Sequence, residues 1–310
     1  MRATGIGSMP GDDLEGWAKF SLGELDIAFV PELPGRGAHA GMIGRSLAVL
    51  DGLDADLQPS GWRVGVGSGV DHRRARSLLA QDLDVVEEIG HDYDGVLKQQ
   101  IAGPWTLAAT VETPRGEKVL SDHGARRDLA ACLAAGLTDH LASLRRRFGK
   151  AAELIVQIDE PALPAVLAAR VPTASGLRQY RSVDLPEADA HLRTIVEVVV
   201  EAGATPVVHC CAPDVPVGLL RGAGFTAVAF DLSLARPTDA WAEALDQGAG
   251  LWTGSTDPRR IEEFLGRLGF EPGGVADQIV VTPPCGLAGH TPADARRALE
   301  AARSVARSLN

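Results

Sequence analysis

The 310-residue sequence is short of several things at once. No stretch approaches the roughly 18 uninterrupted apolar residues of a membrane-spanning helix, so no membrane span is expected. The N-terminus, MRATGIGSMPGDD, has one Arg, no apolar core of signal-peptide length and an early acidic pair. A secretory leader is therefore not expected, and a cytoplasmic location follows by default. Cysteine is scarce: Cys132, Cys210, Cys211 and Cys285 are the full set. A disulfide framework does not suit a large cytoplasmic chain, which leaves metal ligation, catalysis or burial as their roles. Positive charge is also short. Against 41 Asp and Glu there are 30 Lys and Arg, only four of them Lys, and the net charge is −11. That balance excludes a protein that tracks nucleic-acid phosphates.

What is present is an ordinary globular composition, 45% hydrophobic and 23% charged, which excludes general disorder. The length allows two domains of about 150 residues or one α/β barrel with insertions. Short β-branched runs recur, each followed by a helical pattern. The expected strands are Ala3–Gly7, Asp26–Val30, Val96–Ala102, Leu154–Ile158, Thr205–His209, Ala227–Asp231, Gly250–Thr253 and Gln278–Thr282. Amphipathic segments lie between most of them, among them Arg126–Phe148, Glu187–Glu201, Asp239–Gln247, Arg259–Leu268 and Pro292–Ser308. Eight strands alternating with helices predict a (β/α)8 TIM barrel spanning residues 1–310 as one domain, or failing that a doubly wound sheet. Arg63–Gly67 reads as an extra strand or half of a hairpin in the long second connection. The glycines of VGVGSGVD lack nucleotide-loop spacing and read as a turn.

Polar residues gather at one end of these strands: Ser8, Glu32, Gly103, Asp159, His209 with Cys211, Asp231, Thr253 and Cys285. In a barrel the C-terminal strand ends form the active-site face, so these side chains converge on one pocket. In PVVHCCAPD, residues two apart on an extended segment share a face, so His209 and Cys211 point together while Cys210 points away. With Cys285 of TPPCGLAGH and Asp231 of AVAFDLS they make a His/Cys/Cys/carboxylate set suited to Zn²⁺. Cys132 lies in a helical pattern and reads as packing; Cys210 is the rival ligand if the strand ends one residue early. Two thiolates and a carboxylate leave zinc net negative, a poor source of hydroxide but a good holder of a nucleophilic substrate thiolate. Alkyl transfer to sulfur is the chemistry expected.

The set TGIGSMP, LDIAFVPELPGR, IAGPWTLAATVE, IVQIDEPALP, VVHCCAPD, AFDLS and TPPCGLAGH resembles, in family order, the catalytic C-terminal barrel of cobalamin-independent methionine synthase. The resemblance implies a zinc-dependent (β/α)8 methyltransferase acting on homocysteine. It implies His209, Cys211, Asp231 and Cys285 as zinc ligands, with Asp231 one methylene shorter than the family's Glu. It further implies that Ile6, Gly7 and Ser8 bind the substrate carboxylate and that Glu32 and Asp159 grip its ammonium. Taken alone, Asp159 also fits a turn cap before Pro161, and Glu32 a solvated acid between prolines.

Three departures fall on the methyl-donor side. The family's companion N-terminal barrel has no counterpart in 310 residues. Thr110 stands where the family has a pterin-stacking Trp, with Trp105 nearby but out of register. Thr256 of STDPR stands where the family has a proton-donating His. The donor is accordingly expected to be methyltetrahydrofolate or a methylcorrinoid, free or on a partner protein. The corrinoid-to-thiol methyltransferases of the uroporphyrinogen decarboxylase superfamily are the rival enzymatic reading, and a zinc-binding relic of the fold the non-enzymatic one.

Overall fold

A computed structural model of the chain describes residues 1–65 and 69–309. Its main sheet has eight parallel strands: β1 (Arg2–Ala3), β2 (Ile27–Phe29), β5 (Val96–Ala102), β6 (Glu153–Asp159), β7 (Thr205–Cys210), β8 (Ala227–Asp231), β9 (Gly250–Gly254) and β10 (Ile279–Thr282). The hairpin β3 (Ala55–Gln58) and β4 (Gly61–Val64) forms a separate antiparallel pair in the second connection. The barrel order is β1-β10-β9-β8-β7-β6-β5-β2, with helices between successive strands. This is a (β/α)8 TIM barrel.

The last seam, between β1 and β2, is closed by single contacts rather than a ladder. Ala3 N donates to Asp26 Oδ2 at 2.8 Å, Thr4 Oγ1 to the Ile27 carbonyl at 2.7 Å, and Ser8 bridges Glu32. The expected strand Ala3–Gly7 is therefore cut to Arg2–Ala3. Gly7 explains part of that loss: its φ of +145° leaves the strand region, and glycine carries this at little cost. Of the expected extra strand Arg63–Gly67, residues 63–64 belong to β4, while 66 and 67 lie outside the described residues, as does the centre of the glycine run.

Strand alternation sorts the side chains into two cores. Outward residues such as Leu97, Val156, Val208, Val228, Leu251 and Val281 pack under the helices. Inward residues Ile27, Ile155, Val207, Ala229, Trp252 and Val280 plug the base of the barrel. With the base filled, the next inward layers, Lys98 and Gln157 and then Gln100, Asp159 and His209, are polar and lead to the C-terminal mouth. Among the described residues no helix is long and apolar enough to cross a membrane.

Candidate active site

At the mouth is a cavity of about 260 Å³. Ile6, Ser8, Glu32, Asp159, His209, Cys211 and Cys285 all line it, so most of the residues expected from the strand ends do converge. β7 carries His209 inward and 4% exposed. Cys211 follows it just beyond the strand, and Cys285 sits on the loop after β10. One ligand atom from each of the three lies within 4.8 Å of the others, and the two sulfurs are 3.1 Å apart. Cys210 is fully buried on the outward face of β7, and Cys132 is partly buried against the hydrophobic core on the helix His123–Arg147.

The ring of His209 is held from behind. Its Nδ1 pairs with Asp159 Oδ1 at 2.9 Å, and that oxygen also accepts from Gln157 Nε2 at 2.8 Å. A carboxylate on Nδ1 fixes that nitrogen as the N–H and leaves Nε2 as the atom that gives up its proton to a metal, the usual arrangement behind a metal-bound imidazole. Nε2 is buried and unpaired. An orphaned imidazole nitrogen beside two thiols is a donor set that fits a soft, borderline cation such as zinc.

Asp231 stands apart from this cluster. It ends β8 half-buried, and its Oδ1 accepts from Ser233 N at 2.8 Å and Ser233 Oγ at 2.7 Å, an Asx turn that folds the short side chain onto its own loop. Thr253 is buried within the barrel wall.

The other half of the cavity is built on the loop Ile6–Ser8. Glu32 N donates to the Gly7 carbonyl at 3.0 Å and Leu287 N to the Ser8 carbonyl at 2.7 Å, so this loop ties the Glu32 and Cys285 loops together. A methyl group at Gly7 would meet Gln100 Nε2 at 2.3 Å, and one at Gly286 would meet Ser8 Oγ at 1.9 Å. Gly7→Ala, strained in backbone as well as in space, is expected to cost about 1–3 kcal/mol, read as a lowered urea midpoint.

Charge is dense here. Burial pushes the Glu32 carboxyl up to about 7, although Arg45, whose Nε is 3.7 Å away, pulls it back. Burial lowers Lys98 to about 7 against the attraction of Asp159 and Glu32. Burial also pulls His209 down, but Asp159 and the Cys285 sulfur favour the charged ring and hold it up at about 9. The two thiols share a proton: the Cys211 thiol, 3.1 Å away, and the nearby His209 ring pull Cys285 down and leave the proton on Cys211.

No protein-family model and no curated protein sequence matches the chain. Solved structures do. The chain is similar to a B12-independent methionine synthase from Shewanella sp. W3-18-1 in complex with selenomethionine, with a TM-score of 0.58, 13% identity, and 99% of this chain and 97% of that one covered. That likeness is one of fold. Weaker matches are a morphinone reductase in complex with tetrahydroNAD (TM-score 0.44, 11% identity, 91% and 81% covered) and 2,3-dimethylmalate lyase (TM-score 0.39, 13% identity, 96% and 81% covered).

Sequence reasoning passed over four polar residues that shape this site. Lys98 and Gln100 on β5, and Gln157 on β6, occupy inward positions two residues apart. The run Lys98-Gln99-Gln100 in the middle of a strand otherwise made of Val, Leu, Ile and Ala was the available signal. Glu160, beside Asp159, is fully buried and accepts from Trp105 N, Thr106 N and Thr106 Oγ1 at 2.7–3.0 Å, capping the helix Pro104–Thr110. On the expected donor side, Trp105 is buried against His191, while Thr110 and Thr256 are exposed.

Proposed function

We propose that the chain is a zinc-dependent methyltransferase that methylates the thiol of homocysteine or a close analogue. The observation that carries this reading is the pairing, in one cavity, of a His209/Cys211/Cys285 cluster with two buried carboxylates, Glu32 and Asp159. His209 through Nε2 and the two thiolates are the metal donors, with Asp231 as a candidate fourth if its turn opens. Zinc, once bound, supplies Lewis acidity that keeps a substrate thiol deprotonated at neutral pH. Asp159 holds the imidazole in the metal-binding tautomer, and with Glu32 it faces the substrate ammonium. The Ile6–Ser8 loop offers backbone N–H groups to the carboxylate. The similar Shewanella enzyme is a methionine synthase in complex with selenomethionine, an amino acid, which supports an amino-acid substrate here.

The donor is methyltetrahydrofolate or a methylcorrinoid. Thr256 is no proton donor for a leaving amine, and Trp105 is committed to His191 and to the Ala188 carbonyl at 3.2 Å. Both points favour the methylcorrinoid, whose leaving group needs no proton. Zinc-loaded protein incubated with homocysteine and methylcobalamin is expected to form methionine, detected by mass spectrometry. No methionine above a Cys211→Ser control, with either donor, would sink the proposal.

Zinc affinity should depend steeply on pH. In the zinc-free protein His209 keeps a proton below about 9, and the thiol pair keeps one more. Binding must displace both, so affinity is expected to fall about 100-fold for each unit of pH lost between 8 and 6. Competition with a fluorescent chelator at several pH values measures the slope, and a slope of one proton or fewer contradicts the assignment.

A further inference from the structure

Lys98 has no exposed surface and sits on the barrel axis side of β5, beneath the cavity floor. Its Nζ donates to the Ile6 carbonyl at 2.8 Å, to Gln157 Oε1 at 2.7 Å and to Gln100 Oε1 at 3.5 Å, three acceptors for the three N–H bonds of an ammonium. Each acceptor belongs to a different wall of the amino-acid half of the site. The Ile6 carbonyl begins the loop that runs through Gly7 to Ser8. Gln157, with its oxygen taken by the ammonium, turns Nε2 to the Ile6 carbonyl at 3.0 Å and to Asp159 Oδ1 at 2.8 Å. Gln100, with its oxygen turned the same way, donates Nε2 to the Val30 carbonyl at 2.8 Å, two residues before Glu32. Without the ammonium, two buried amide oxygens lose their donor and the Gln157 amide loses the contact that sets its orientation. A flipped Gln157 would set oxygen against the Asp159 carboxylate.

We propose that Lys98 is a positioning residue that locks the Ile6–Ser8 loop, Asp159 and Glu32 into one arrangement, so that the site selects a thiol bearing ammonium and carboxylate over a bare alkyl thiol. The inference rests on the methyl-acceptor reading above. Lys98 touches neither the sulfurs nor His209; it holds the Ile6 carbonyl and Gln100 directly and reaches the His209 ring only at third hand, through Gln157 and Asp159, so its effect falls mainly on the amino-acid end of the substrate. A lysine that served only to hold the barrel together would leave the ratio of the two affinities unchanged when replaced.

Isothermal titration of L-homocysteine and of propane-1-thiol into zinc-loaded wild type, Lys98→Met and Lys98→Arg separates the cases. Lys98→Met is expected to weaken homocysteine about 30-fold, ~2 kcal/mol at 1.4 kcal/mol per tenfold. Propane-1-thiol should stay within about threefold, zinc content should hold, and Lys98→Arg should recover part of the loss. Equal weakening of both thiols, or no change in either, overturns the assignment of Lys98. A wild type that binds the two thiols alike would instead overturn the methyl-acceptor reading itself, and the Lys98 inference with it. If Lys98→Met does not fold, Gln157→Leu cuts the link to Asp159 with the lysine in place. Undiminished preference for homocysteine in that variant overturns the inference.

Discussion

Cys285→Ser is expected to leave the protein folded and almost free of zinc. Cys285 is on an exposed stretch of loop, so its replacement opens no cavity in the core. Its sulfur is nonetheless one of three donors grouped within 4.8 Å. An alcohol does not replace a thiolate as a zinc donor at neutral pH, and three donors become two. Loss of a partner behind a ligand typically costs 10–100-fold in metal affinity, so loss of a ligand itself should exceed about 100-fold. Zinc by elemental analysis should fall from about one per chain to under ~0.1 after dialysis at micromolar protein. Methyl transfer should fall with it, while the thermal midpoint of the zinc-free forms stays close to wild type. Cys210→Ser is the contrast. Cys210 is fully buried on the outward face of β7, and burial pushes its thiol up to about 12, so it is poor thiolate material. That variant should keep its zinc and lose stability instead. Retention of stoichiometric zinc by Cys285→Ser would show that the cluster is not the metal site.

Much of this arrangement was legible in the chain because a parallel barrel converts sequence periodicity into geometry. The expected boundaries of the third strand, Val96–Ala102, and the sixth, Ala227–Asp231, coincide with the structure. The inward alternation that paired His209 with Cys211 and turned Cys210 away follows from the two-residue repeat alone. What was not legible depends on turns and on side chains meeting across the barrel. Arg2–Ala3 is shorter than expected because pairing stops where the chain bends toward Gly7, and no local pattern announces that. Asp231 sits at the strand end expected of it, but the serine two residues on supplies donors that hold its carboxylate in a turn. Asp159 and Lys98 show the same limit from the other side. The family resemblance assigns Asp159 to an ammonium, whereas in the structure it engages His209, from the next strand. Lys98 joins residues 92 and 59 positions away in the chain, a separation that periodicity does not reach.

The contrast between the two carboxylates gives the sharper test of the whole site. Asp159 touches both halves: Oδ1 holds His209, and its charge faces the cavity. Glu32 touches one half, since its nearest charged neighbour is Arg45 and no contact joins it to His209. Glu32→Gln should therefore leave zinc bound and weaken homocysteine by about 10–100-fold, the range of a lost hydrogen bond to a charged group. Asp159→Asn should weaken homocysteine similarly and also lower zinc affinity by about 10–100-fold, because its amide is a weaker partner for the imidazole N–H. A pH series separates charge from shape. Burial pushes Glu32 up to about 7, so its carboxylate takes up a proton as pH falls through 7 and loses its hold on an ammonium. At saturating zinc, wild-type affinity for homocysteine should fall between pH 8 and 6, and Glu32→Gln should be flatter across the same range. Equal pH profiles in wild type and Glu32→Gln would remove Glu32 from the ammonium site. A Glu32→Gln variant that loses zinc as Asp159→Asn does would break the division of the cavity into a metal half and an amino-acid half.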